Sequence, residues 1–358
     1  MATINFGKSV TLEQAAQIIA RTPSNRFLIE GEPGIGKSSL IKRVAQIASE
    51  ITGQRYLTAY CDVPNMDLGD IAMPVVHHDS KTTRYYPNAR FKLTEGQPVV
   101  IMLDEFTKGA EPIKNMLHPL LETKARLGDI EPPEGTVTFM TGNLTSDGVG
   151  DSLKAHSLNR ITRIRISKPT SEEWLAWAVT NGIDPVVMAW VNQFPHCMAS
   201  YLDGNQDENL YIYNPKRMQT SYVSPRSLER ASHIVKIREH IDPDTFIAAL
   251  SGTIGEAAAR DMEAFVAYQD QLPTWENIVN NPKTAPVPDS AGACAVLIFG
   301  AVTRVEKATM TSFMDYLKRF EEEWQAAFAI NVMKSPKQSV AMSNRAWSDW
   351  VRDNSDLL

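Results

Sequence analysis

The chain has 358 residues, 43% hydrophobic and 22% charged, with a formal net charge of −6. That length accommodates two or three domains of roughly 150 residues each, and the composition is that of a folded chain able to bury a core. The acidic balance argues against a dedicated nucleic-acid binder, which carries a basic stripe; no apolar run reaches the roughly 18 residues of a membrane span.

Other features point to a cytoplasmic protein. The opening Met1-Ala2-Thr3-Ile4-Asn5-Phe6 lacks a charged segment followed by a long apolar stretch, so no secretory signal is expected. Cys61, Cys197 and Cys294 are odd in number and far apart, as expected of buried, reduced thiols.

In chain order, the first 168 residues alternate apolar runs with helical patterns, which predicts a parallel α/β sheet. The strand candidates are Phe27–Glu30, Tyr56–Tyr60, Val99–Leu103, Val137–Thr141 and Ile161–Ile166. Val99–Leu103 is apolar without alternation, which suits a central strand covered on both faces. Ile161–Ile166 alternates, which suits an edge strand. Lys168-Pro169-Thr170-Ser171 breaks the pattern, and Ser171 reads as a helix N-cap. Helical patterns continue to about Tyr268, interrupted by a loop or short hairpin over Asp203–Ser224. Pro282, Pro286 and Pro288 mark a linker, and two or three helices follow. Phe313, Leu317, Phe320, Trp324 and Phe328 form a stripe at helical spacing, read as core in preference to a partner surface. The expected division is therefore 1–168, 169–281 and 282–358.

The strongest motif is Gly31-Glu32-Pro33-Gly34-Ile35-Gly36-Lys37-Ser38, followed by Ser39. It matches G-x-x-x-x-G-K-[ST] between a strand candidate and a helical pattern, the context in which backbone N–H groups cradle phosphates. The helix that follows aims its positive end at the same oxygens. Lys37 would meet the β- and γ-phosphates of a bound nucleotide, and the Ser38 hydroxyl would be a ligand for Mg²⁺. About seventy residues on, Val99–Leu103 ends in Asp104-Glu105. Asp104 would hold the metal and Glu105 would polarise the attacking water. Asn143 follows the strand Val137–Thr141; it either orients that water or is a turn asparagine.

At these residues the chain resembles the AAA+ ATPases, and more closely their MoxR-like and dynein-related branch, over about residues 10–265. The resemblance rests on GEPGIGKSS at 31–39, IMLDEF at 101–106, TGN at 141–143, LNR at 158–160 and SPRSLERA at 224–231. It implies a P-loop parallel sheet of strand order 5-1-4-3-2, followed by an all-α lid and a helical C-terminal extension. It makes Gly31–Ser38 Walker A, Asp104 and Glu105 Walker B, and Asn143 sensor 1. Arg160 would be the arginine finger completing a neighbouring subunit's site, with Arg163 able to share or take that role, and Arg226 would be sensor 2. A homo-oligomer, a hexameric ring, is implied, and a partner with a von Willebrand factor A domain is one the branch often uses.

The branch also carries a hairpin insertion, expected here within Asn65–Glu95. Its His77, His78, Lys81, Arg84, Tyr85 and Tyr86 would either grip a polypeptide in a ring pore or pack against a neighbour. The adjacent histidines lack an evident third ligand, so a metal is not expected there. Leu127–Gly135 reads as a further short hairpin ahead of sensor 1. The function expected is an ATP-driven remodeller of a partner protein; the alternative is a nucleic-acid motor, a helicase loader or a restriction-type translocase. A GTPase switch needs an Asn-Lys-x-Asp element that the sequence lacks, and the intact Lys37, Asp104, Glu105 and Arg160 set disfavours a binding-only relic.

Overall fold

The computed structural model describes residues 8–122, 124–144 and 159–357. The chain divides into two compact units, Met1–Lys168 and Pro169–Leu358.

The first unit is built on five parallel strands: β1 (Phe27–Glu30), β2 (Leu57–Asp62), β5 (Val99–Asp104), β6 (Val137–Gly142) and β7 (Thr162–Arg165). Their spatial order is β2-β5-β6-β1-β7. Numbered among themselves, the five run 5-1-4-3-2, the order expected. Every residue of β5 is buried, and the pleat sends its side chains alternately to opposite faces. Val99, Ile101 and Leu103 join one hydrophobic cluster, with Leu28, Cys61 and Met140. Val100 and Met102 join the other, with Phe27, Ile29 and Phe139. That is why the run lacks polar alternation. The edge position of β7 likewise fits its alternating sequence.

Helix α1 (Leu12–Arg21) starts at a capping box in which Thr11 accepts from Gln14 N–H at 3.2 Å and Gln14 accepts from Thr11 N–H at 2.9 Å. It buries Ala15, Ala16 and Ile19 in the second cluster, beside α2 (Leu40–Thr52). Helix α3 (Glu111–Leu117) covers the other face with Ile113 and Leu117. Burial also pushes the Cys61 thiol up to about 12, leaving it protonated and inert at neutral pH.

The insertion after β2 is an antiparallel hairpin, β3 (Ala72–His77) and β4 (Thr82–Pro87). Met73, Val75, Val76 and Tyr85 are exposed on it, and the Tyr86 hydroxyl lies 3.1 Å from His77 Nε2. The segment after α3 docks on the hairpin: Asp129 N–H donates to Tyr85 O at 2.8 Å, and Asp129 Oδ2 accepts from Tyr85 N–H at 2.8 Å. Gly128 allows this approach, because a Cβ there would stand 2.3 Å from Tyr85 O. Within Leu127–Gly135 the pairing is a single bridge, Leu127 with Ile130, so the expected short hairpin is a tight turn.

The second unit is helical. Its first helix, Ser171–Thr180, is capped one residue earlier than expected, by Thr170. The Thr170 hydroxyl accepts from Glu173 N–H at 3.2 Å while Glu173 accepts from Thr170 N–H at 2.9 Å, and that reciprocal pair is what a T-x-x-E spacing provides. Asp203–Ser224 is turns and loop with one parallel bridge, Ile212 to Val223. The proline segment at 282–288 does not separate two units: residues from Trp174 to Trp350 share one hydrophobic cluster. Helix Ala291–Arg304 is buried continuously from Gly292 to Val302, so it is packed on all sides within the helical region. The stripe from Phe313 to Phe328 is buried as read, but it is divided between two helices, Met310–Leu317 and Glu322–Met333, with Phe320 in the turn between them. Among the described residues no helix is long and apolar enough to cross a membrane.

Candidate nucleotide site

The loop between β1 and α2 turns at Gly34 and Gly36, both left-handed at φ 78° and 99°. A Cβ at Gly36 would strain that conformation, so the motif's glycine is a backbone requirement. The chain then enters a short 3₁₀ turn, Lys37–Ser39, that runs directly into α2. Lys37 is only 7% exposed. Its ammonium donates to Gly31 O at 2.6 Å, Glu32 O at 2.9 Å and Asn143 Oδ1 at 2.9 Å. A buried ammonium beside the N-terminus of a helix fits a phosphate group, because both present positive charge to it.

Ser38 and Asp104, 66 positions apart in sequence, meet here. Ser38 Oγ lies 3.4 Å from Asp104 Oδ2, with the hydroxyl donating. A hydroxyl converging with a carboxylate is the oxygen set a hard divalent cation takes, so these residues fit Mg²⁺. Asp104 is buried and held by two further hydroxyls: Tyr60 donates to Oδ2 at 2.6 Å, and Thr141 donates to Oδ1. Thr141 also accepts from Glu105 N–H at 3.0 Å. Glu105 itself is left-handed at φ 51°, turning its side chain out of the strand's alternation. Its Oε2 pairs with Lys108 Nζ at 2.6 Å.

Parallel pairing of β5 with β2 and β6 explains the convergence. Asp62 is in register with Asp104, and Leu103 with Met140, so the strands' carboxyl ends rise together beside the loop after β1. Open α/β sheets bind ligands at that end.

The structure thus brings together Lys37, Ser38, Asp104, Glu105 and Asn143. It places the two candidate finger arginines differently. The Arg163 guanidinium is bidentate on the buried carboxylate of Glu30, at 2.7 and 3.1 Å. Arg160 is 41% exposed and lies 3.2 Å from Glu122; Leu158, in the same segment, is outside the described residues. Arg226 is exposed in the first turn of helix Pro225–Lys236, in the second unit. Tyr60, Thr141 and Lys108 were missed by the sequence reading. Thr141 lay inside a quoted motif, but its hydroxyl gains meaning only through strand pairing; Tyr60 and Lys108 carry no local signal.

A glycine loop clasping its own lysine beside strand-end carboxylates, on a sheet of this order, defines a P-loop nucleotide-binding protein. Residues 26–146, about a third of the chain, match the family model of the AAA domain (dynein-related subfamily), and the resemblance to AAA+ proteins of that type holds over this stretch. No curated protein matches the sequence. Similar solved structures include a proposed ATPase from Cytophaga hutchinsonii, 13% identical over 70% of this chain and 83% of that one, at a TM-score of 0.34. NtrX from Brucella abortus in complex with ATP is 12% identical over 99% and 70%, at 0.36. A second NtrX structure is 15% identical over 82% and 69%, at 0.39.

Proposed function

We propose that the chain hydrolyses ATP with Mg²⁺ and uses the cycle to remodel a partner protein, working as a MoxR-like ring of identical subunits, hexameric by resemblance. The observation that carries this reading is the meeting of Lys37 with Asn143 and of Ser38 with Asp104.

The loop Gly31–Ser39 and Lys37 hold the triphosphate, and Ser38 and Asp104 hold the metal, which neutralises charge on the phosphate oxygens. Glu105 takes the proton of the attacking water and Asn143 orients that water. Arg160, exposed, is the better placed finger; Arg163 is engaged by Glu30 within its own subunit. Arg226 is assigned as sensor 2 by resemblance alone. The hairpin β3–β4, with Tyr85 and other apolar side chains exposed, is the surface offered to substrate, and a von Willebrand factor A domain protein is the partner class that resemblance suggests.

Glu105→Gln tests the reading. Loss of a positioned base costs roughly 10²–10⁴ in rate, while the groups that bind nucleotide are untouched. The variant should retain ATP and co-purify its partner in ATP. Native turnover in that variant would reject the role of Glu105.

A further inference from the structure

The second unit holds a cavity of about 350 Å³, at the small end of the range for ligand pockets. It lies between helices Pro185–Gln193, Glu256–Gln271, Trp275–Asn280 and Ala291–Arg304. Buried Ile278 and Leu297 form apolar wall, and Trp275, packed on Phe313 with ring centroids 5.4 Å apart, adds an aromatic side. Gly300 lines the cavity too. A Cβ there would stand 3.9 Å from Pro185, an ordinary contact, so helix packing does not require glycine. Glycine inside a helix costs stability relative to alanine; what it leaves here is space.

The polar groups of this cavity are of two kinds. Gln269 Oε1 is buried with no hydrogen-bond partner, and a buried acceptor of that kind calls for a donor. Asp270 beside it supplies a carboxylate, 3.4 Å from Arg238 Nη2. The cations are Arg238, whose side chain is 16% exposed, and Arg304, which ends its helix and has no hydrogen-bond or ion-pair partner among the described residues. Both guanidiniums act on the charge of Asp184, next to cavity-lining Pro185. A simple anion would face Asp270, and a simple cation would face two arginines. A zwitterion with an apolar body satisfies both sets, through charge-assisted hydrogen bonds.

We propose that this cavity binds a free amino acid with an apolar side chain. Its carboxylate meets Arg304 and Arg238, its ammonium meets Gln269 Oε1 and Asp270, and its side chain rests on Trp275, Ile278 and Leu297. No group of the nucleotide site takes part, so binding stands apart from the hydrolytic reading.

Calorimetric titration of the full chain, without nucleotide, tests this with L-leucine, L-phenylalanine and L-tryptophan in turn. At least one should bind saturably. Its amino alcohol, which lacks the carboxylate, and its deaminated acid, which lacks the ammonium, should each bind roughly tenfold or more weakly, the worth of a hydrogen bond to a charged group. Arg304→Met should weaken the amino acid and leave the amino alcohol unchanged. Gln269→Leu should weaken the amino acid and leave the deaminated acid unchanged. Native thermal melting of Arg304→Met, whose side chain is exposed, separates lost binding from lost folding. Absence of saturable binding by all three amino acids would mean a solvent-filled gap between helices and overturn the proposal. Equal binding of the amino acid and its deaminated acid, or binding indifferent to both substitutions, overturns it as well.

Discussion

The hydroxyl of Thr141 donates to the carboxylate of Asp104, and the same oxygen accepts the amide proton of Glu105 at 3.0 Å. One fully buried side chain of β6 thus fixes both acidic residues at the end of β5. Thr141→Val keeps the shape and removes the hydroxyl, taking this partner from a buried acceptor and a half-buried N–H. The expected loss is about 1–3 kcal/mol, read from the urea midpoint, together with weaker Mg²⁺-dependent nucleotide binding. Thr141→Ser should recover most of both. A Val variant as stable as the native chain would show that other partners replace the hydroxyl.

The two arginines near β7 should separate cleanly. Arg163→Met strands the buried carboxylate of Glu30, and breaking such a pair costs about 3–5 kcal/mol. Pairing it with Glu30→Gln should restore much of the melting temperature. Arg160→Ala breaks a solvent-exposed contact with Glu122, and substitutions at such exposed positions change stability by about 0.5 kcal/mol or less. Its ATPase should fall by roughly 10³ or more if it acts in trans, with partial recovery in rings mixed with native subunits. Mixing that never alters activity would place its action within one subunit.

Asp184 predicts a pH dependence. It caps helix Pro185–Gln193, accepting from Val186 N–H at 2.9 Å, and burial raises its pKa, outweighing the nearby Arg238, Lys236 and Arg304. A raised folded-state pKa means the native chain favours the protonated form. The penalty is absent below the ordinary carboxylate range and grows as pH rises through the folded pKa. Asp184→Asn keeps the capping oxygen and removes the charge. It should raise the melting temperature at pH 8, with the advantage shrinking toward pH 4. Equal melting temperatures of the two chains at pH 8 would contradict this.

The hairpin gives a functional prediction. Tyr85 is exposed and Tyr86 meets His77, and neither touches the nucleotide loop in the contacts described above. Replacing both with alanine should spare basal ATPase and abolish action on a partner. Loss of ring assembly, seen by light scattering, would instead assign the hairpin to packing between subunits.

The sequence by itself determined what is local. Gly36 and Lys37 mark the phosphate loop because a left-handed turn before a helix needs glycine, and the apolar run ending at Asp104 marks a strand covered on both faces. Tertiary structure decided the partners. Thr141, Tyr60 and Glu30 act on residues far away in the chain, and only parallel strand register sets which carboxylate meets which hydroxyl or guanidinium. The same holds for the helices beyond 282, whose prolines read as a linker although their apolar faces close the same core as Trp174 and Trp190. Burial is a property of the assembled layers, and no short stretch of sequence carries it.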